Sequence, residues 1–388
     1  MNKLLFNFAS FFLVLSSFGF SIFGFSFYFS HVILSGFFLN NLPAFYNKTF
    51  VLDRYKASLL LLVLMLILTT SIQTSVVLAS ILLLKFVIIF VLYLLFLKGV
   101  FLYGLNYLYY GIWVALIYMV YQSINWNLFN GELPFEYART FPFTHANHGL
   151  QVNKMHGLFG LGDNYITHFI QSYTGFTKFL GYKVSGFAQE MSYMSAMVFP
   201  MLFIPISRRL KLAILYILLF SLSKNIVGAL AFMAFYKLLT NFLSRRISAI
   251  VTIIFFIICI FILAAHIIET VPGTSVAARF YPLVYFLNEM SLYEKFFGLG
   301  YGYSVNVFGY IYEDKILSSI GSVMIFHGFF GLAAYLLFFV ILIKGSKYPA
   351  FILAIFLCMY NWLYSISWPI LSMFYALNFY LSNKTIKS

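Results

Sequence analysis

The chain has 388 residues, 63% of them hydrophobic and only 9% charged, with a formal net charge of +14. Its mean hydropathy is +0.94. An apolar share so far above the usual 45–50% or so excludes a soluble globular domain, and the lack of short alternating segments excludes a β-barrel. Apolar runs of about 20 residues recur, each long enough for a hydrocarbon layer about 30 Å thick. The composition predicts an all-α polytopic membrane protein, one transmembrane domain over residues 1–388.

The chain begins "MNKLLFNFASFFLVLSSFGF", one lysine and then an apolar run. It looks like a signal peptide, but no A-x-A cleavage site follows and the run continues to Leu39, so an uncleaved first span is expected. Residues 4–40 have length for two linked spans. Residues 57–72 and 76–97 read as a hairpin, and 99–123 as a crossing. A long polar segment follows, 125–184. Residues 187–206 cross back, 211–240 turn near Lys224, and 249–267 cross again. A second long segment, 269–316, precedes spans at 318–343, 348–365 and 367–382. Cys259 and Cys358 both lie inside apolar runs, where a disulfide framework is not expected.

Charge sets the orientation. Lys3, Lys48, Arg54, Lys56, Lys98, Arg208, Arg209, Lys211, Lys237, Arg245, Arg246, Lys344, Lys347, Lys384 and Lys387 fall at one side of this arrangement, with Asp53 as the only acid there. Cytoplasmic loops collect Lys and Arg in this way. The expected topology is therefore about twelve spans with both termini cytoplasmic and two large outer loops, 125–184 and 269–316. The positive charge is a topology signature, and no nucleic-acid partner is implied.

The stretch 211–240 lies between two inside clusters, so it must turn at the outer side. Its arms, 211–223 and 225–240, reach only about 20–24 Å at 1.5 Å per residue. Lys224 is then expected below the outer surface in a wet recess, where an amine needs a cavity or a partner; snorkelling to the interface is the plain alternative.

Other polar residues gather in the outer loops. The first loop carries Arg139, His145, His148 and His156. Its HxxH spacing can hold metal, but no Cys or nearby Glu completes a set, so no metal is expected; Arg139 suits phosphate and the histidines suit sugar hydroxyls. Lys183 and Glu190 stand at the end of that loop, before the span at 187–206. Glu190 can act as general base or sugar acceptor, or simply complement the helix dipole. In the second loop, apolar residues at helical spacing predict an interfacial helix near 276–291 with Arg279 on its polar side. "GLGYG" follows, lacks the strand–helix context of a nucleotide motif, and is expected to make a tight turn beneath a ligand. His327 lies inside the span 318–343, either packing or serving the site, and Lys85 lies inside an earlier span where a structural pairing is expected.

Four of these segments together resemble one family. "GFAQEMSYMSA" is similar to the "GFF-x-EPS" motif of Wzy-type O-antigen and capsule polymerases, and "SLSKNIVGALAF" resembles their "S-(R/K)-x-x-x-x-A" turn. "RFYPLVYFLNEMSLYEKFFGLGYG" resembles their Arg…GxG outer segment, and "HGFFGLAAYLLFF" the Gly-x-x-Gly start of a late span. The resemblance covers roughly residues 180–345. It departs at Met191, where proline is usual, and at Lys183 and Lys224, where arginine is common. Arg139 to Gly149 comes close to a paired Arg–Gly segment described in some of these proteins; Arg279 to Gly298 does not.

The resemblance implies a glycosyltransferase of the outer face of the bacterial plasma membrane. Donor and acceptor would be oligosaccharides linked to undecaprenyl diphosphate, held among membrane lipid, with a chain-length regulator protein as partner and no cofactor. It implies Lys224, Arg279 and Glu190 as catalytic residues. Lys183, Arg139, Tyr281, His145, His148 and His327 would be substrate-binding. An O-antigen ligase is the rival within the superfamily, although the matching region "ILSSIGSVMIF" lacks the ligases' outer-loop histidine. A lipid-linked sugar transporter or flippase is the rival of another class.

Overall fold

A computed structural model describes residues 3–14, 19–22, 25–28, 33, 36, 92–97, 99–100, 103–129, 137–138, 150–155, 166–172, 182–184, 191–221, 224–270, 277–300, 305–307, 310–312, 319–358 and 368–384. The expected spans 57–72 and most of 76–97 lie outside these residues, as does Lys85. Helices dominate what is described. Among the described residues two helical segments, Arg245–Ala264 and Ile320–Gly345, are long and apolar enough to cross a membrane. The chain divides into two compact units, Met1–Thr49 with Lys98–Leu230, and Phe50–Leu97 with Ala231–Ser388.

The first unit opens with α1 (Lys3–Val14). It packs against α2 (Asn106–Leu128), which begins just after Gly104 at φ 77°. Helix α2 buries Leu108, Ile112, Ala115, Met119 and Trp126 at helical spacing. Its other face shows Tyr107, Tyr110, Trp113, Ile117 and Ile124, so it is apolar all round, a pattern suited to an apolar surrounding. Gly111 lets the two helices close: a Cβ there would lie 2.7 Å from the Phe11 carbonyl oxygen. Gly111→Val is expected to push α1 off α2, costing about 2–3 kcal/mol and lowering the melting temperature in detergent.

The described residues are mostly helical, as expected, with short strands among the helices. Residues expected within two helical spans at 4–40 instead include the antiparallel hairpin β1 (Gly19–Ile22) and β2 (Phe25–Tyr28), with Gly19 opposite Tyr28 and Ile22 opposite Phe25. The local sequence "GFSIFGFSFYFS" suits it, because Phe recurs at every second residue from Phe23 to Phe29. The first long polar segment carries a four-stranded antiparallel sheet of β3 (Tyr137–Ala138), β4 (Leu150–Met155), β5 (Ile166–Ser172) and β6 (Tyr182–Lys183). Such a ladder satisfies backbone groups in a stretch too polar for a spanning helix.

The expected span at 187–206 is also not one helix among the described residues. It is α3 (Met191–Val198) followed by a 3-10 turn (Phe199–Phe203) with Pro200 at its start. Proline lacks the N–H that would continue the α-helical ladder. Helix α4 (Arg208–Ser221) then ends where α5 (Lys224–Leu239) begins, matching the two short arms read from charge.

The second unit continues through the lower part of α5 into α6 (Arg245–Thr270), which packs on α7 (Ala277–Asn288). Helix α7 falls within the predicted 276–291, and Pro282 sits inside it. A short α8 (Leu292–Phe297) follows, its start fixed by a reciprocal capping box between Ser291 and Glu294. The hairpin β7 (Val305–Val307) and β8 (Tyr310–Tyr312) leads to α9 (Ser319–Gly345), α10 (Pro349–Cys358) and α11 (Trp368–Lys384). An aromatic core of Tyr335, Phe339 and Phe356 joins α9 to α10, with Phe339 and Phe356 centroids 5.0 Å apart.

Helix α9 is broken at Gly328, whose φ of 63° and ψ of −159° only glycine adopts readily. The carbonyls of Ile325 and Phe326 would find intrahelical partners beyond that break. They accept from the backbone N–H of Leu299 (2.7 Å) and Gly300 (3.1 Å). A chain segment thus repairs the helix's hydrogen bonding. Gly298 makes the approach possible: it lies at φ 79° and ψ 175°, and a Cβ on it would strike the Phe326 carbonyl and the His327 nitrogen. A Cβ on Gly328 would in turn strike the Phe296 carbonyl.

Candidate functional site

Two polar corners hold the described candidate residues, one in each unit. In the first unit, the backbone N–H of Val184 donates to the Phe220 carbonyl at 3.2 Å. That bond ties the end of β6, where Lys183 stands, to the last turn of α4. Helix α3 joins the same turn through Ser195 and Ser221, both buried, with their hydroxyl oxygens 2.6 Å apart. The Ser221 hydroxyl also donates to the Ile217 carbonyl at 2.8 Å. Lys224 then opens α5 as its first residue.

The arrangement around Lys224 is electrostatically one-sided. A helix N-terminus carries partial positive charge and unsatisfied N–H groups. A lysine at that place adds to the same sign, and Lys183 precedes the residue bonded to the adjoining helix end. A helix N-terminus of this kind suits an anion. Glu190 is one residue before α3, outside the described residues, as are Arg139, His145 and His148.

In the second unit, the backbone of α7 carries Arg279 and Tyr281, and the Tyr281 ring is buried. His327 is fully buried beside the break in α9. Gly331, one turn on, leaves room for it: a Cβ there would strike the His327 Cβ. The rings after His327 close the corner. Phe329 lies 5.0 Å from Phe286 of α7 edge-on, and Phe330 lies 5.3 Å from Phe297 of α8. Each such pair contributes about 1 kcal/mol beyond area burial.

The first half of "GLGYG" has a structural task. Gly298 lets the backbone approach, and the Leu299 and Gly300 N–H groups dock on the carbonyls of α9. The Gly-x-x-Gly of "HGFFG" stands where the second of the two helical segments of α9 begins, at the Gly328 break, and Gly331 makes room for His327. Among the described residues no three His, Cys, Asp or Glu side chains gather as a metal site would require.

The Ser195–Ser221 clamp was not singled out in the sequence. Its signal was available: "MSYMSAM" and "LFSLSK" each place serines in apolar surroundings, where a hydroxyl needs a partner. A double-mutant cycle of Ser195→Ala and Ser221→Ala, read by thermal unfolding in detergent, should show a coupling of about 1 kcal/mol. Strictly additive effects would mean that the clamp contributes nothing.

Comparison with protein-family models, with curated proteins and with solved structures finds no match.

Proposed function

We propose that this chain is a multi-pass protein of the bacterial plasma membrane that polymerises lipid-linked oligosaccharides on the outer face, as its resemblance to Wzy-type polymerases implies. The observation that carries the reading is the first-unit corner. Lys224 stands at a helix start, and backbone and hydroxyl bonds tie β6 and α3 to the adjacent helix end. The leaving group of the proposed reaction is a diphosphate, and fixed positive charge where water is scarce is the efficient stabiliser for it.

In this reaction an acceptor sugar hydroxyl attacks the anomeric carbon of the donor glycan. The bond from that carbon to the diphosphate oxygen breaks, and undecaprenyl diphosphate departs with the electron pair. The hydroxyl proton passes to a base, for which Glu190 is assigned. Lys224 is assigned to the diphosphate, with Lys183 and Arg139 of the same unit as helpers, and Arg279 of the other unit is a separate phosphate candidate. His145 and His148 are assigned to sugar or diphosphate; Tyr281 and His327, expected to join them, are buried in the second unit. A diphosphate needs no protonation to leave, so no metal or acid is called for. The broken helix α9, with His327 buried at the break, is the feature that favours a transporter as the second reading.

Deleting the gene and resolving the surface polysaccharide by gel tests this. Loss of the ladder with single repeat units still attached is the expected result. A bare lipid core with polymer accumulating on undecaprenyl diphosphate would mean a ligase. An unchanged ladder would remove the polymerase reading and favour a transporter.

A further inference from the structure

We propose that one end of the second unit, where the α5–α6 turn meets the α9–α10 turn, binds the headgroup of an anionic phospholipid. The proposal goes beyond the glycan chemistry and rests on the membrane part of that reading. The turn between α5 and α6 reads "KLLTNFLSRR" and exposes Lys237, Arg245 and Arg246. Between those cations Phe242 is 80% exposed and Leu238 57% exposed. In water such side chains gain nothing. At a bilayer surface the ring and the leucine enter the acyl boundary while the cations reach phosphate.

The second turn completes the basic surface. The Arg246 guanidinium donates from Nη2 to the Ser346 carbonyl at 3.4 Å, which places Arg246 beside exposed Lys344 and Lys347. A guanidinium has five N–H donors, and this bond engages one. The base beneath is tied down. The Ser346 hydroxyl donates to Asn378 Oδ1 at 2.6 Å and accepts from the Tyr348 N–H at 2.8 Å, and the Lys347 N–H donates to the Ser382 hydroxyl at 3.3 Å. Five basic residues thus share an end whose two turns are bonded to each other and to α11.

Charge complementarity selects the occupant. The described acids of this unit are Glu269 at the far end of α6, and Glu289 and Glu294 on segments that pack at the N-terminal half of α9. None faces this end. Helix α6 has 26 residues, about 39 Å at 1.5 Å each, longer than a hydrocarbon core of about 30 Å. Its arginine end therefore reaches the headgroup layer of a membrane it crosses. A zwitterionic headgroup would leave the five cations unbalanced, whereas a phosphatidylglycerol headgroup carries the net negative charge they lack.

The test titrates the delipidated full chain in detergent with phosphatidylglycerol or phosphatidylcholine and counts bound lipids by native mass spectrometry. Wild type should prefer phosphatidylglycerol, and Arg245→Gln with Arg246→Gln should weaken that preference about tenfold. Lys344→Gln with Lys347→Gln should weaken it independently should the first pair fail to fold, and Phe242→Ser should weaken both lipids alike. Equal binding of the two lipids by wild type would overturn the proposal. So would a preference that survives both pairs of substitutions but is lost in Arg208→Gln with Arg209→Gln. A chain that stays soluble without detergent and binds neither lipid would overturn the membrane reading as well; lipid binding without headgroup preference overturns only this one.

Discussion

Gly298→Ala should abolish the folded second unit as seen by thermal unfolding in detergent. Alanine at φ 79° is strained at the backbone alone, by about 1–2 kcal/mol. Its Cβ would also run into the Phe326 carbonyl and the His327 nitrogen, which are backbone and cannot swing aside. Retreat would break the Leu299 and Gly300 bonds to the carbonyls of Ile325 and Phe326, leaving two acceptors without their partners. The total loss is on the order of 4 kcal/mol or more, at the extreme of single substitutions. Gly228→Ala is the control: its Cβ meets nothing within 4 Å, and alanine should stabilise α5 by about 0.5–1 kcal/mol. Equal melting temperatures for the two variants would mean that the α8–α9 docking is not part of the stable fold.

On the proposed polymerase reading, Lys224→Ala should remove the polysaccharide ladder while leaving the protein at normal abundance. A single electrostatic donor to a developing oxyanion supplies about 100- to 1000-fold in rate, and a lysine toward a diphosphate belongs to that class. Lys224→Arg keeps the charge and should restore part of the ladder. The pair separates charge from fold, since either change leaves the apolar body of α5 untouched. A full ladder from Lys224→Ala would remove this lysine from the reaction, whatever the gene deletion shows.

The helix ends around Lys224 were legible because charge bookkeeping forced a turn between two basic clusters, and the arms found are Arg208–Ser221 and Lys224–Leu239. The helix at 276–291 was legible from apolar spacing, and α7 fills most of it. Hydropathy was blind to the rest for one reason: it sums side chains and ignores backbone. It ran a helix through Gly328, where φ and ψ break it, and through Pro200, where an N–H is missing. It read Phe-rich "GFSIFGFSFYFS" as a span although its period is two. The clamp of Ser195 and Ser221 joins residues 26 apart, a pairing that local pattern does not encode. Of the candidate residues, Lys183 and Lys224 belong to one unit and Arg279, Tyr281 and His327 to the other, while Glu190, Arg139, His145 and His148 lie outside the described residues.

The repaired break in α9 has a consequence for how the protein is made. If α9 crosses a bilayer, the segment from Ser319 to His327 has nine residues, about 14 Å, too short to settle there alone. Unless Leu299 and Gly300 dock on them, the carbonyls of Ile325 and Phe326 face hydrocarbon without donors, a state no membrane tolerates cheaply. Since the donors are made first, α8 and its glycines must wait at the insertion site until the later helix joins them. The two segments then enter as one partner-dependent unit, and a ribosome stalled between residues 300 and 319 should leave that half of the chain open to the cell's membrane proteases.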